Sequence, residues 1–303
     1  MEKVKGLKLK EGMKISELVR DMGGVGFGAK NVSRASEVLK KMKSDGECKV
    51  FFGQAGAMVP AGMKYIILDM LDFTDVFVCT GATLTHDLVE ALGFDHFFVE
   101  LKDGVFDDEV LNKEGIDRMY NVAMPNSVYE KMEDFFEENW DSFKECKTIK
   151  EFLWRLGELC PGTSENCILK KCYEKKIPLF CPALADSGIG LMIWGKKAAG
   201  KNIFIDAFED MKEIIDISWT AKKRGVIYVG GGVPKNFIQQ SLQFSKGAQY
   251  GIQITTDRAE SGGSSGAPLK EGISWGKMES TGEFVDVNCD ATIALPLILA
   301  GAE

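Results

Sequence analysis

The chain has 303 residues, 45% of them hydrophobic and 27% charged, a composition that suits one large folded domain or two modest ones and excludes a disordered or fibrous protein. A formal net charge of −8 argues against a nucleic-acid groove, which favours basic surfaces. The same excess of carboxylates could attract a polycationic ligand, although it also serves plain solubility. The segment Met1-Glu2-Lys3-Val4-Lys5-Gly6-Leu7-Lys8 lacks the apolar run of a signal peptide. No stretch approaches the ~18 to 20 apolar residues that span a bilayer, so a cytoplasmic protein without a membrane partner is expected.

In chain order, Lys49–Gly53 reads as a buried strand, followed by a glycine-containing turn at Gly56–Pro60 and a helix through Leu71. Asp75–Cys79 repeats the pattern, with Thr80-Gly81-Ala82 as the turn and a helix from about Thr85 to Leu92. The stretch from Asn126 to Lys175 is rich in charge and helix formers and reads as a helical insertion. Ile177–Phe180 begins a third unit, whose turn contains Asp186-Ser-Gly-Ile-Gly190. Gly225–Val229 begins a fourth, with Gly230-Gly231-Gly232 as its turn and a helix from Pro234. Tyr250–Ile254 is a fifth strand, ending at Thr255-Thr256; Asp286–Cys289 and a helix from Ala291 to Ala300 close the chain.

Strand, glycine turn and helix repeated this often predict an α/β fold, a mainly parallel sheet with helices on both faces. Ligands of such sheets bind at the carboxyl ends of the strands. No linker, low-complexity segment or fixed-period repeat divides the chain, so a single domain over 1–303 is expected, with the helical insertion at about 126–175.

The eight cysteines are scattered and none forms a Cys-x-x-Cys pair; with only two histidines, His86 and His96, no metal site is expected. The cysteines read as reduced, mostly buried small residues. Gly230-Gly231-Gly232 is a plausible pyrophosphate-binding turn, because glycine lets backbone approach the phosphate at a helix N-terminus. It is equally a plain tight turn, and it is not the Gly-x-Gly-x-x-Gly arrangement. Ser261–Gly266 is a second glycine-rich run, followed by Glu271-Gly-Ile-Ser-Trp275-Gly-Lys277. A tryptophan beside a lysine can wall off an amine, favour its neutral, nucleophilic form and attract amine cations.

Ser274-Trp275-Gly276-Lys277, preceded by Ser265-Gly-Ala and followed by Asp290-Ala-Thr-Ile-Ala-Leu-Pro296, resembles the C-terminal signature of the deoxyhypusine synthase family. Ile177–Asp186, Gly230-Gly-Gly-Val-Pro-Lys235 and Gly24–Ala29 extend the likeness over nearly the whole chain. The resemblance implies an NAD-binding α/β domain and a homotetramer in which pairs of subunits share active sites. It also implies NAD-dependent transfer of a 4-aminobutyl group from spermidine, held as a lysine imine. The acceptor would be a lysine of the hypusine-containing translation factor, or free putrescine as in the homospermidine synthases of the same family.

By motif, the resemblance gives Lys277 the imine-forming role, Trp275 the wall against the polyamine and Glu271 a contact to its amine. Asn236 and Ser265 fall on further substrate-side positions. Thr80, Gly81, Asp186, Gly231, Gly232, Thr256, Asp290 and Ala291 fall on cofactor-contacting positions; Asp290 could equally be a helix cap.

The sequence departs from the protein-modifying members at several places. A family histidine is Asn236, an aspartate at the glycine-rich loop is replaced by Ser261-Gly262-Gly263, a second aspartate is Leu191, and paired glutamates are Thr85 and His86. These replacements look more like the prokaryotic, deoxyhypusine-synthase-like branch, whose members need not modify a protein. His86, near the ligand end of the sheet, is the candidate to replace the missing proton acceptor, against a plain helix-start residue. The lost contacts also raise a second class of function, a non-catalytic NAD-binding regulatory subunit.

Overall fold

The computed structural model describes residues 2–100 and 107–303. Helices α1 (Ile15–Met22) and α2 (Phe27–Ser44) precede β1 (Cys48–Gln54), and α3 (Lys64–Leu71), β2 (Val76–Cys79) and α4 (Gly81–Ala91) follow. Next come β3 (Phe97–Phe98), α5 (Asp108–Lys113), β4 (Ile116–Met119) and β5 (Val122–Pro125). Helices α6 (Val128–Asn139), α7 (Ile149–Leu159) and α8 (Ile168–Glu174) lead to β6 (Leu179–Phe180), α9 (Gly188–Ala198) and α10 (Ala207–Thr220). The chain closes with β7 (Lys223–Val229), α11 (Gly232–Leu242), β8 (Ala248–Thr255), β9 (Met278–Asn288) and α12 (Ala291–Gly301). The chain forms two compact units, Met1–Ala55 with Asp72–Val78 and Met211–Glu303, and Gly56–Leu71 with Cys79–Asp210.

The first unit is built on strands in the order β2-β1-β7-β8-β9. β1 pairs parallel with β7 from Cys48 opposite Lys223 to Gln54 opposite Val229. β7 pairs parallel with β8, and β8 with β9, where Thr255 meets Asn288. The apolar runs Val226–Val229 and Val50–Phe52 are buried throughout, as a parallel sheet covered on both faces requires. Helices α1, α2 and α12 meet at Gly301, where a Cβ would lie 2.6 Å from both Val19 Cγ1 and Ser36 Oγ. The register sets the carboxyl ends of β1, β7, β8 and β9 side by side, so the turns after Val229, Thr255 and Asn288 share one end of the sheet.

In the second unit, residues 126–175 hold α6, α7 and α8 around a one-turn helix at Trp140–Phe143. Their core is aromatic: Phe143 lies 4.9 Å from Phe152 and 5.6 Å from Phe136, ring centre to ring centre. Gly157 lets α7 and α8 touch, since a Cβ there would meet the Leu169 carbonyl oxygen at 2.3 Å.

Several features differ from the expected elements, and α11 opens at Gly232, two residues before the expected Pro234. The helix after β2 starts at Gly81 and not near Thr85, because the Thr80 hydroxyl accepts from the Thr83 N–H and caps it at once. The strand expected at Asp286–Cys289 is the end of a longer β9 that begins at Met278. An antiparallel sheet in the order β3-β5-β4 was not expected at all. Its strands are too short for alternation to show, and they carry charges such as Asp117 and Arg118.

Candidate active site

In the first unit, Lys277 lies immediately before β9; its carbonyl accepts from Ala248 N–H at 3.1 Å, and its own N–H donates to Gly272 at 2.9 Å. That fixes its backbone at the amino end of β8 and β9, the end opposite the glycine turn. Its side chain, only 8% exposed, lines a cavity of about 390 Å³ together with Asn236, Glu271 and Trp275. The lining residues run from Lys235 in the first turn of α11 to Gln243 just past its end, so the cavity follows the flank of that helix. The Lys277 Nζ stands 5.2 Å from the centre of the Trp275 ring and has no carboxylate within salt-bridge distance among the described residues. Trp275 itself is 60% exposed, so it presents a face for another cation. The sequence therefore brings Lys277, Trp275, Glu271 and Asn236 into one cavity. Ser265 is not among its lining residues; its Cα lies 2.3 Å from where a Cβ on Gly231 would be.

Gly230 (φ +72°) and Gly232 (φ +56°) both take left-handed backbone at the carboxyl end of β7, a conformation glycine adopts without strain. Gly231 precedes α11 and offers its first turn no side-chain cap, and nothing lies within 4 Å of where a Gly232 Cβ would be. Free N–H groups beneath open space suit an anion such as a pyrophosphate. At the same end of the sheet, Thr256 is exposed and Asp290 starts α12. One Asp290 oxygen, Oδ1, accepts from Thr292 N–H at 2.7 Å and from the Thr292 hydroxyl at 2.6 Å. Those bonds hold its pKa below the usual carboxylate range. The cap and the ribose-contact readings are thus compatible, because neither Thr292 bond uses Oδ2. Ala291 is half-buried in the first turn of the same helix. These residues fit a dinucleotide's phosphates and ribose.

In the second unit, Thr80 and Gly81 begin α4, and the exposed Asp186 stands just before Ser187, which caps α9. The two helix starts touch: a Cβ on Gly81 would meet Ser187 Cβ at 2.5 Å. Gly81 is therefore demanded by helix packing as well as by any ligand. His86 lies one turn into α4, 9% exposed, and burial pushes its pKa down to about 4. Its Nδ1 is 3.0 Å from His96 Nε2.

Several buried charges escaped the sequence reading, Lys235 and Asp87 among them. Lys235, 1% exposed, donates to the carbonyls of Ser264 at 2.5 Å and Ala267 at 2.7 Å, and burial pushes its pKa down to about 8. Asp87 is fully buried and accepts from the Ile168 and Leu169 N–H groups at the start of α8, yet burial still pushes it up to about 6. Their partners are 29 to 82 residues away, so no local pattern announces them.

All eight cysteines are free thiols. Among the described residues no cluster of His, Cys, Asp or Glu could hold a metal ion, and no helix is long and apolar enough to cross a membrane.

The profile of the family described as deoxyhypusine synthase matches residues 17–302. A Methanosarcina mazei protein named "Probable deoxyhypusine synthase 1" is 41% identical over 98% of this chain and 93% of its own. The Archaeoglobus fulgidus protein of the same name is 40% identical over 97% and 95%. The Methanothermobacter thermautotrophicus "Probable deoxyhypusine synthase" is 36% identical over 99% and 97%. Among solved structures, one described as "a putative deoxyhypusine synthase from Entamoeba histolytica" superposes with a TM-score of 0.68, covering 98% of this chain and 96% of that one at 20% identity, a likeness of fold. None of these names favours the homospermidine-forming or regulatory alternatives. The chain belongs to the deoxyhypusine synthase family, and its function is that of an NAD-dependent aminobutyl-transferring enzyme of this type.

Proposed function

We propose that this chain moves the 4-aminobutyl group of spermidine to one lysine of the hypusine-containing translation factor in the cytoplasm, with Lys277 carrying the fragment as an imine. The observation that supports this most is the Lys277 amine, set in a cavity beside Trp275 with no carboxylate partner among the described residues. A lysine tied into an ion pair would have to break it before attacking carbon.

Bound NAD would accept the hydride taken from the carbon beside the secondary amine of spermidine, and return it at the end. Loss of that hydride and of the amine proton leaves an imine. The neutral Lys277 amine adds to the imine carbon, and the C–N bond to 1,3-diaminopropane breaks as that leaving amine takes up a proton. The acceptor lysine then displaces Lys277 by the same exchange. Trp275 and Glu271 would hold the cationic ends of the polyamine, with Asn236 beside them and Ser265 on the adjoining loop. His86, kept neutral by burial, would take the proton released at oxidation. Gly231 and Gly232 would hold the pyrophosphate at the start of α11, and Asp290 a ribose hydroxyl; Thr80, Gly81, Asp186, Thr256 and Ala291 complete the cofactor side. A homotetramer with sites shared between subunits belongs to the same reading.

The test is to incubate the protein with NAD and spermidine labelled in its butylamine part, reduce with borohydride and map the label. A butylamine adduct on Lys277, absent from Lys277→Arg, is expected. An unlabelled Lys277 would overturn the reading. Label appearing in homospermidine when putrescine is added, and none in the translation factor, would overturn its choice of acceptor.

A further inference from the structure

His86 does not stand alone. Its Nδ1 is 3.0 Å from His96 Nε2, and His96 Nδ1 is 2.9 Å from Glu90 Oε1. The other Glu90 oxygen is in a salt bridge with Lys64, on α3. All four side chains belong to the second unit, and all are largely shielded: the His96 side chain is 6% exposed, Glu90 20% and Lys64 11%. Both histidines of the chain are in this row. Lys64, Glu90 and His96 also line a cavity of about 440 Å³ with Tyr65, Phe97 and Phe98, so the far end of the row opens to water while His86 sits at the inner end.

The direction of each hydrogen bond follows from the end that is fixed. Lys64 is a pure donor; against burial, which pushes the Glu90 carboxyl up, the hydrogen bonds from His96 and from the Lys64 ammonium hold it ionised, below the usual carboxylate range. An ionised carboxylate only accepts, so the proton between Glu90 and His96 must be on His96 Nδ1. A neutral imidazole carries one N–H, which leaves His96 Nε2 with a lone pair and no proton. The next contact then needs a donor, and that donor is His86 Nδ1–H. His86 Nε2, which has no hydrogen-bond partner among the described residues, is left with a lone pair.

From this we propose that Lys64, Glu90 and His96 are positioning residues that lock His86 in the Nδ1–H tautomer, so that its Nε2 faces outward from the row as a proton acceptor. A free imidazole is not confined to this tautomer; the row imposes it. When His86 Nε2 gains a proton, the Nδ1–H bond to His96 strengthens, and the charge is stabilised through His96 towards Glu90. The catalytic part of this inference rests on the proposed role of His86; the tautomer assignment does not.

Because the chain has only these two histidines, protein labelled with ¹⁵N solely at histidine gives four ring-nitrogen signals, assignable with His96→Asn. At pH 8, above the ordinary imidazole range, the full chain should show His86 with a protonated Nδ1 and a bare Nε2, and His96 likewise. Glu90→Gln should reverse both rings. Lys64 would claim the amide oxygen, the amide NH₂ would donate to His96 Nδ1, and His86 would end protonated at Nε2. With spermidine and NAD, that variant should lose about 100-fold in kcat, with KM for spermidine changed by no more than about threefold, as expected when a base is silenced without loss of binding. A wild-type spectrum with the proton on His86 Nε2 overturns the proposal, whether or not Glu90→Gln folds. Reversed rings with an unchanged kcat would leave the tautomer lock standing and overturn the role of His86 as proton acceptor.

Discussion

His86 and Asp87 are neighbours on α4, and burial pushes their titrations in opposite directions. The imidazole falls from 6.5 to about 4, and the carboxyl rises from 3.8 to about 6. As pH drops below about 6.5, the unfolded chain protonates its imidazole while the folded chain holds out to about 4, so His86 withdraws stability across that window. Asp87 acts oppositely: the folded protein takes its proton first, near 6, and gains stability as the pH falls towards 3.8. The two nearly cancel, which flattens the acid response of this helix. His86→Gln removes only the first effect, so between pH 7 and pH 4.5 the variant should gain about 2 kcal/mol relative to the parent chain. Urea unfolding at both pH values measures this, and parallel losses in the two proteins would refute it. At this scale Lys277, Trp275 and Glu271 were legible because they fall within seven consecutive residues. Lys235, Asp87 and the His86–His96 contact were not, because helix geometry and distant backbone, not neighbouring sequence, supply their partners.

Among the elements, the glycine turn between β7 and α11 was expected from the sequence, although the helix opens at Gly232 and not at Pro234, and it is where one methyl group should matter. A Cβ on Gly231 would sit 2.3 Å from the Ser265 Cα and 2.4 Å from its Cβ. Because the obstacle is backbone, it cannot step aside as a flexible side chain would. Gly231→Ala should therefore displace the 261–267 loop and cost about 1 to 3 kcal/mol of stability. It should also weaken the stabilisation that added NAD gives in a thermal-shift titration; an unchanged response to NAD would count against a cofactor site at this turn. The parallel strands were readable because continuous apolar runs ending in glycine leave few alternatives. β3 to β5 were not, since strands of two to four residues, one carrying Asp117 and Arg118, leave no periodicity to detect. Lys277 lies apart from the end where ligands of parallel sheets gather: it enters β9 from the other end and lines its cavity along α11.

For the molecule as a whole, several large apolar side chains of the second unit lack cover: Leu191 is 56% exposed, Trp194 67%, Phe204 86% and Phe208 84%. Apolar exposure on this scale is what a subunit face presents before assembly. Sedimentation should give about four times the 33.4 kDa chain mass, and Trp194→Glu should yield a smaller species; a monomeric parent chain would remove the shared-site part of the functional reading. The segment 261–267 carries a different consequence. Three of its seven residues are glycine, so unfolded it wanders through more shapes than most stretches of its length, and ordering it costs about 1 to 2 kcal/mol per residue. Against that stand two buried side chains: the Lys235 ammonium grips the Ser264 and Ala267 carbonyls, and the Gln253 amide donates to Ala267 at 3.1 Å. A strap held by so few rivets can lift while the sheet beneath stays folded. Lys235→Met should therefore speed tryptic cutting at Arg258 and Lys270, on either side of the strap, while the unfolding midpoint moves far less. A bulky acceptor arriving at the Lys277 cavity would then meet a door on two small catches, not a wall that must be dismantled.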